Sequence, residues 1–366
     1  MIRILQCVND MHRAGLETML MNYYRNIDRD KIQFDFLTHR SERSDYDDEI
    51  ERLGGKIYYA PRLYPQNYPK YFKWMKQFFK DHPEYKIVHS HIDAMSYLPL
   101  KAAKKANIPV RIAHSHNTSI DKDFKYLLKQ YFRSKITTVA TDYCTCGQEA
   151  GEFLFGDKDF TFIPNAIEVD KFLYAKDLRE KKRTELGIKD EFVIGHVGRL
   201  SYQKNHKLLI EIFNAFSKVE RNTLLLLIGV GEKEGEIKKQ VHDLGLDSKV
   251  KFLGNRSDVN ELYQAMDVFL MPSFFEGVPV VGVEAQFSDL PCIFSDRVPK
   301  EVKFNSKTQF VKLEANLDEW VRSIEKVKNI ERNSKAKDLL NSQYDIKVAH
   351  SILENYYLDI VNKRGL

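Results

Sequence analysis

Val268-Phe269-Leu270-Met271-Pro272-Ser273-Phe274-Phe275-Glu276-Gly277-Val278-Pro279-Val280-Val281-Gly282-Val283-Glu284 passes from an apolar strand-like run, through a loop, into a helix start. Strand, loop and helix in that order are what a parallel α/β sheet uses to bind ligands at its carboxyl edge. Backbone amides at such a helix start face the ligand, and an anion there gains from the helix dipole. Glu276 and Glu284 cannot bind phosphate, but their oxygens accept hydrogen bonds from hydroxyls. Amides for phosphate beside carboxylates for hydroxyls describe a site for a nucleotide that carries a sugar.

A second strand-loop-helix unit lies upstream. The strand-like Phe192 to Val197 leads into Gly198-Arg199-Leu200-Ser201-Tyr202-Gln203-Lys204-Asn205, followed by a helical apolar pattern through Leu208, Leu209 and Ile212. Arg199 offers a fork of donors and Lys204 a point charge, and the two can converge on one diphosphate. Taken alone, they could equally be two solvated basic residues; the glutamate loop downstream favours the functional reading.

Those two elements, with Ile4 to Glu17, Phe162-Ile163-Pro164-Asn165-Ala166 and Val250 to Ala285, carry a resemblance over nearly the whole chain. The sequence resembles a family-4 retaining glycosyltransferase of the GT-B fold, of the bacterial capsule and exopolysaccharide type. The resemblance implies two Rossmann-like α/β domains facing across a donor-binding cleft. An acceptor-binding domain would span 1–165 and a nucleotide-sugar-binding domain 166–345, with a helix over 346–366 crossing back to the first. It implies that Arg199 and Lys204 hold the donor diphosphate, that Glu276 contacts the sugar hydroxyls and that Glu284 contacts the ribose. Gly198, Asn205, Gly277, Val278, Pro279, Val280 and Val281 complete the donor site. Relatives carry a glycine pair after the first strand; here Ala14-Gly15 stands there, so only Gly15 inherits the role. No cofactor and no metal are implied.

Length and composition agree. At 366 residues the chain exceeds what one hydrophobic core usually supports, so two domains are expected. No apolar run approaches the roughly 18 residues of a membrane span. Leu224 to Val230 reads as a buried parallel strand, and Ile2 to Val8 is too short for a signal sequence and reads as a strand. Further strands are expected at Phe34–Leu37, Lys56–Tyr59, Ile87–His89, Val110–His114, Val250–Phe252 and Pro291–Ser295, separated by helices, as in βαβ units. Cys7, Cys144, Cys146 and Cys292 match no zinc or thioredoxin-like spacing. Cys7 and Cys292 read as small core residues, and Cys144 and Cys146 as neighbours on one strand face. A reducing cytoplasm is the simplest setting.

Two histidine pairs end strands, His89-Ser90-His91 and His114-Ser115-His116-Asn117. Imidazole is a common metal ligand, yet neither pair has the spacing of a zinc motif. The resemblance places a histidine beside the donor sugar, and His116 takes that role. His91 is a further candidate for donor or acceptor, whereas His114 and His89 are expected to point into the sheet.

Charge is uneven. The chain carries a formal +5, but Arg62 to Lys135 holds 15 Lys and Arg against 5 Asp and Glu. There Lys70, Lys73, Lys76 and Lys80 interleave with Tyr71, Phe72, Trp74, Phe78 and Phe79. Farther on, Lys125, Lys129 and Arg133 interleave with Tyr126, Leu127, Tyr131 and Phe132. Basic amphipathic helices of this kind suit an anionic membrane surface, a polyanion, or simply a solvated helix with a core face. The lipid-linked saccharide acceptor that the resemblance implies favours a cytoplasmic protein held peripherally at the membrane, and no nucleic acid is expected as partner. Two rival functions are weighed. A sugar-nucleotide epimerase shares the fold. A basic membrane- or nucleic-acid-binding module without catalysis would explain the charge but not Glu276 and Glu284. A dinucleotide-binding oxidoreductase is disfavoured because Gly229-Val230-Gly231 lacks a third glycine at Glu234.

Overall fold

The structure is a computed structural model, and it describes residues 1–120, 124–333 and 342–366. Two compact units emerge, Met1–Ala166 with Ile346–Leu366, and Ile167–Asp345. Each is built on one parallel sheet. The first sheet comprises β1 (Ile2–Cys7), β2 (Ile32–Thr38), β3 (Ile57–Tyr59), β4 (Ile87–Ser90), β5 (Val110–Ser115), β6 (Asp142–Thr145) and β7 (Thr161–Phe162). The second comprises β8 (Phe192–Val197), β9 (Thr223–Ile228), β10 (Val250–Gly254), β11 (Val268–Met271), β12 (Cys292–Ser295) and β13 (Thr308–Val311). The orders are β3-β2-β1-β4-β5-β6-β7 and β10-β9-β8-β11-β12-β13. Both are doubly wound, and in each the order reverses beside the first strand, at β1/β4 and at β8/β11. Ligands bind α/β sheets outside the carboxyl ends of strands at such a reversal.

The central strands are the continuous apolar runs. Every residue of β8, β9 and β11 is buried, as expected when helices cover both faces of a parallel sheet. One strand falls where no strand is expected from the sequence: β13, at the sheet edge, with half of its residues only partly covered. The helix Ile346–Arg364 packs on the helix Gly15–Asn26, and its Ala349, Leu353, Tyr357 and Ile360 are buried.

All four cysteines are buried free thiols, and burial raises the pKa of Cys7, Cys144 and Cys292. Among the described residues no helix is long and apolar enough to cross a membrane.

Candidate active site: a phosphate-and-hydroxyl loop pair and a histidine cluster

In the second unit, the loops leaving β8 and β11 meet at the strand reversal. The loop after β8 is set by its neighbour: Gly198 N donates to Ile228 O at 2.9 Å and Leu200 N to Val230 O at 3.0 Å. A Cβ on Gly229 (φ +132°) would lie 2.1 Å from Gly198 O, and one on Gly231 would lie 2.4 Å from Leu200 O. The Gly-Val-Gly segment thus lets two backbones touch, in a place where a dinucleotide fingerprint would instead have approached a ligand.

The loop ends at Asn205, whose backbone is left-handed (φ 52°, ψ 49°) just before the helix His206–Val219. Asparagine tolerates this region better than most residues. Its buried amide donates to Pro272 O at 3.1 Å, tying the β8 loop to the β11 loop. Gln203, which sequence reasoning did not single out, fastens the same pair of loops. Gln203 O accepts from Phe274 N at 2.9 Å, and Gln203 Nε2 donates to Phe275 O at 3.1 Å and Glu276 Oε2 at 3.2 Å. Lys204 Nζ meets the other oxygen, Glu276 Oε1, at 2.7 Å, with both side chains largely buried. Lys204, Asn205 and Glu276 are therefore brought together, as their proposed shared ligand requires. The Arg199 side chain, on the same loop, is exposed and engages no ion pair among the described residues.

Gly277, Val278 and Pro279 are buried and lead into the helix Val280–Phe287, with Val281 partly exposed in its first turn. Glu284 sits on that helix and is held apart from Glu276. Its Oε2 accepts from Tyr263 Oη at 2.9 Å. Burial raises its carboxyl from the ordinary 4.5 to about 7, with the Tyr263 hydrogen bond opposing the rise.

In the first unit, Gly15 opens the helix Gly15–Asn26 after extended Ala14. The histidines differ from expectation. His89 and His114 do not point away from His91 and His116; all four rings form one cluster. Residues two apart on a strand share a face, so both pairs point the same way, and adjacent β4 and β5 set them side by side. His89 Nε2 lies 3.1 Å from His114 Nδ1, and His91 Nδ1 lies 3.1 Å from His116 Nε2. Gln6 on β1 joins through His91 Nε2 at 2.8 Å, and Tyr357 Oη through His89 Nδ1 at 2.6 Å. Asp93, at φ 45°, accepts from His116 N and Asn117 Nδ2, each at 2.8 Å. Burial and mutual repulsion hold His89, His91 and His114 well below the ordinary histidine range, and burial brings His116 to about 3. Neutral imidazoles can ligate metal, and His89, His91 and His114 offer nitrogens within 4.8 Å of one another. The rings also pack closely in pairs, His89–His91 tilted at 4.2 Å and His114–His116 stacked at 4.1 Å.

The basic segments also resolve. Lys70 and Lys73, with Lys76 and Lys80, are exposed on the helix Tyr68–Asp81, but Tyr71, Phe78 and Phe79 of that helix are core residues. The helix Tyr126–Lys135 is different: Phe124, Leu127 and Tyr131 are 84%, 81% and 53% exposed. Beside them, Lys125 Nζ lies over the Tyr64 ring at 4.2 Å and Arg133 over Phe153 at 4.5 Å, with Lys129 half-buried.

A family model for group 1 glycosyl transferases matches residues 178–344, and one for glycosyltransferase family 4 matches residues 13–171. EpsF of Bacillus subtilis (strain 168), which carries a provisional name as a glycosyltransferase, is 38% identical, over 82% of this chain and 80% of its own. An Escherichia coli UDP-Gal:alpha-D-GlcNAc-diphosphoundecaprenol alpha-1,3-galactosyltransferase is 28% identical, over 76% of this chain and 77% of its own. The fold is that of Anabaena HepE, solved with UDP-glucose, at a TM-score of 0.80 and 19% identity over 98% of this chain and 100% of HepE. These matches do not support an epimerase. Two Rossmann-like units and agreement along both with named glycosyltransferases lead to one assignment: the chain belongs to the GT-B glycosyltransferases of group 1 and family 4.

Proposed function

We propose that this glycosyltransferase is a retaining, metal-independent hexosyltransferase. It would move a sugar from a UDP-sugar to a lipid-linked saccharide acceptor in cell-surface polysaccharide synthesis. The observation that carries the donor half is the meeting of Lys204 and Glu276 at the β8/β11 reversal, with exposed Arg199 on the same loop. An arriving diphosphate competes for Lys204; once it wins, Glu276 Oε1 is released to accept from a sugar hydroxyl while Gln203 keeps the carboxylate in place. Supporting the choice of donor and acceptor are the UDP-glucose bound to HepE and the diphosphoundecaprenol acceptor in the E. coli relative's name.

The chemistry follows from charge. The C1–O bond to the diphosphate breaks with its electron pair on the leaving oxygen, and the sugar gains oxocarbenium character. Arg199, Lys204 and the amides opening the helix Val280–Phe287 stabilise the leaving diphosphate, as preorganised electrostatics do in general. The acceptor oxygen bonds to C1 on the face the diphosphate leaves, and its proton passes to the departing diphosphate oxygen. Glu276 is read as a hydroxyl acceptor rather than a nucleophile, since return of the acceptor on the face the diphosphate leaves needs no covalent intermediate. Glu284 is read as the ribose contact and His116 as a sugar contact.

The first unit is read as the acceptor side, lying against an anionic cytoplasmic membrane face through Lys70, Lys73, Lys125, Lys129 and Arg133. Exposed Phe124, Leu127 and Tyr131 support that reading.

Purified protein incubated with UDP-, GDP- and ADP-sugars, with and without EDTA, tests the reading through thermal shift and slow nucleotide release. A shift and release confined to UDP-sugars and indifferent to EDTA is expected. Silence toward every nucleotide sugar, with salt-sensitive binding to vesicles or nucleic acid, would instead support the non-catalytic module.

A further inference from the structure

We infer that Gln6 and His91 are positioning residues, holding His116 in the tautomer that carries its proton on Nε2 and leaves Nδ1 a bare acceptor for a saccharide hydroxyl. The hydroxyl-facing half rests on the reading of this chain as a glycosyltransferase whose His116 touches sugar.

The geometry orders the protons one by one. Gln6 stands on β1 in register with His89 of β4 and is fully buried. Its Nε2 donates to Tyr357 Oη at 3.1 Å, and its Oε1 faces His91 Nε2 at 2.8 Å. An amide oxygen only accepts, so His91 Nε2 carries the hydrogen. A neutral imidazole has one N–H, and burial keeps His91 neutral. His91 Nδ1 is therefore an acceptor, and its partner 3.1 Å away, His116 Nε2, donates. His116 is neutral as well, which leaves Nδ1 without a proton. That nitrogen bonds no protein group among the described residues, and the ring is only half-buried. Asp93 meanwhile fixes the backbone beneath it by accepting from His116 N.

The second branch has the same origin. Tyr357 accepts from Gln6, donates to His89 Nδ1, and so leaves His89 Nε2–H to donate to His114 Nδ1. His114 then holds its proton on Nε2, a buried atom without a partner. One amide orientation on β1 thus sets four tautomers.

Long-range 15N–1H correlation spectra of full-length protein labelled at histidine read the tautomers directly. In the wild type, which needs no variant to fold, His116 should show a protonated Nε2 and an unprotonated Nδ1. The reverse assignment overturns the inference. In Gln6→Met, similar in volume but without donor or acceptor, the His116 signals should move toward a tautomer mixture; unchanged signals also overturn it. UDP-glucose affinity should then fall about fivefold while UDP affinity holds, the loss of one hydrogen bond to the sugar. Lost tautomer control with UDP-glucose affinity intact overturns the positioning role. A wild type that binds neither UDP nor UDP-glucose overturns the donor reading, and with it the hydroxyl-facing half, while the spectra still decide the tautomer.

Discussion

Lys204 and Glu276 neutralise each other at 2.7 Å in a largely buried setting, so each is costly to remove alone. Breaking such a pair strands the partner's charge. Lys204→Ala is expected to lower turnover by about a hundredfold, about 3 kcal/mol of lost leaving-group stabilisation. Single-turnover sugar transfer measures it, and near-normal turnover would remove Lys204 from the diphosphate. Glu284 yields a second prediction. Its carboxyl titrates at about 7 in the fold against an ordinary 4.5. The folded state therefore binds the extra proton between these values. Stability from this group is full below 4.5, declines as pH rises to about 7, and changes no further above. On the proposed ribose role of Glu284, only the ionised form would accept through both carboxylate oxygens, so UDP affinity should climb through pH 7. Titration calorimetry at several pH values reads the climb, and Glu284→Gln should abolish it. Both glutamates were legible because one strand-loop-helix stretch contains them. Gln203, Tyr263 and the joining of His91 to His116 were not, because those contacts connect elements far apart in the chain. Strand parity could have found the histidine cluster, since residues two apart share a face.

At the scale of elements, the two basic helices look alike as sequence and differ in the fold. The aromatics of Tyr68–Asp81 turn into the core, leaving a lysine face. The stretch Phe124 to Lys135 leaves Phe124, Leu127 and Tyr131 outside; Leu127 and Tyr131, four residues apart, share one helical face, and Phe124 stands in the turn before the helix. Amphipathic periodicity marks a helix but not which apolar face finds a partner. Side chains this exposed contribute little to folding, so they can be altered safely. Leu127→Ser should weaken binding to vesicles containing anionic lipid by about tenfold, the free energy of immersing one such side chain. The loss of stability should be small by comparison. Vesicle sedimentation alongside thermal melting checks both, and unchanged sedimentation would take the stripe out of the membrane reading. Strand legibility follows burial in the same way. The fully buried β8, β9 and β11 announce themselves as apolar runs. Thr308–Val311 is short and half-covered, and so carries polar residues that mask it.

At the scale of the molecule, the first unit is discontinuous: it needs residues 346–366 to complete its core. Tyr357 shows why. Fully buried, it packs edge-on against Phe34 of β2 at 6.0 Å, and its hydroxyl joins Gln6 of β1 to His89 of β4. One side chain from the chain's end thus bonds both strands flanking the sheet's reversal point. Removing only the hydroxyl leaves a buried amide hydrogen and a buried ring nitrogen unmatched. Tyr357→Phe should therefore cost about 2 kcal/mol. Truncation to alanine adds a cavity, and Tyr357→Ala should cost about 4 kcal/mol. The two substitutions separate polar satisfaction from packing, because only the first preserves the ring against Phe34. Hydrogen exchange at the amides of β1 and β4 reads the loss where it arises, with β8 and β9 as internal reference. Equal protection in wild type and Tyr357→Ala would mean that the last helix does not support the sheet. Protection lost in Tyr357→Ala but kept in Tyr357→Phe would assign the support to packing and leave the histidine network only the tautomers to decide.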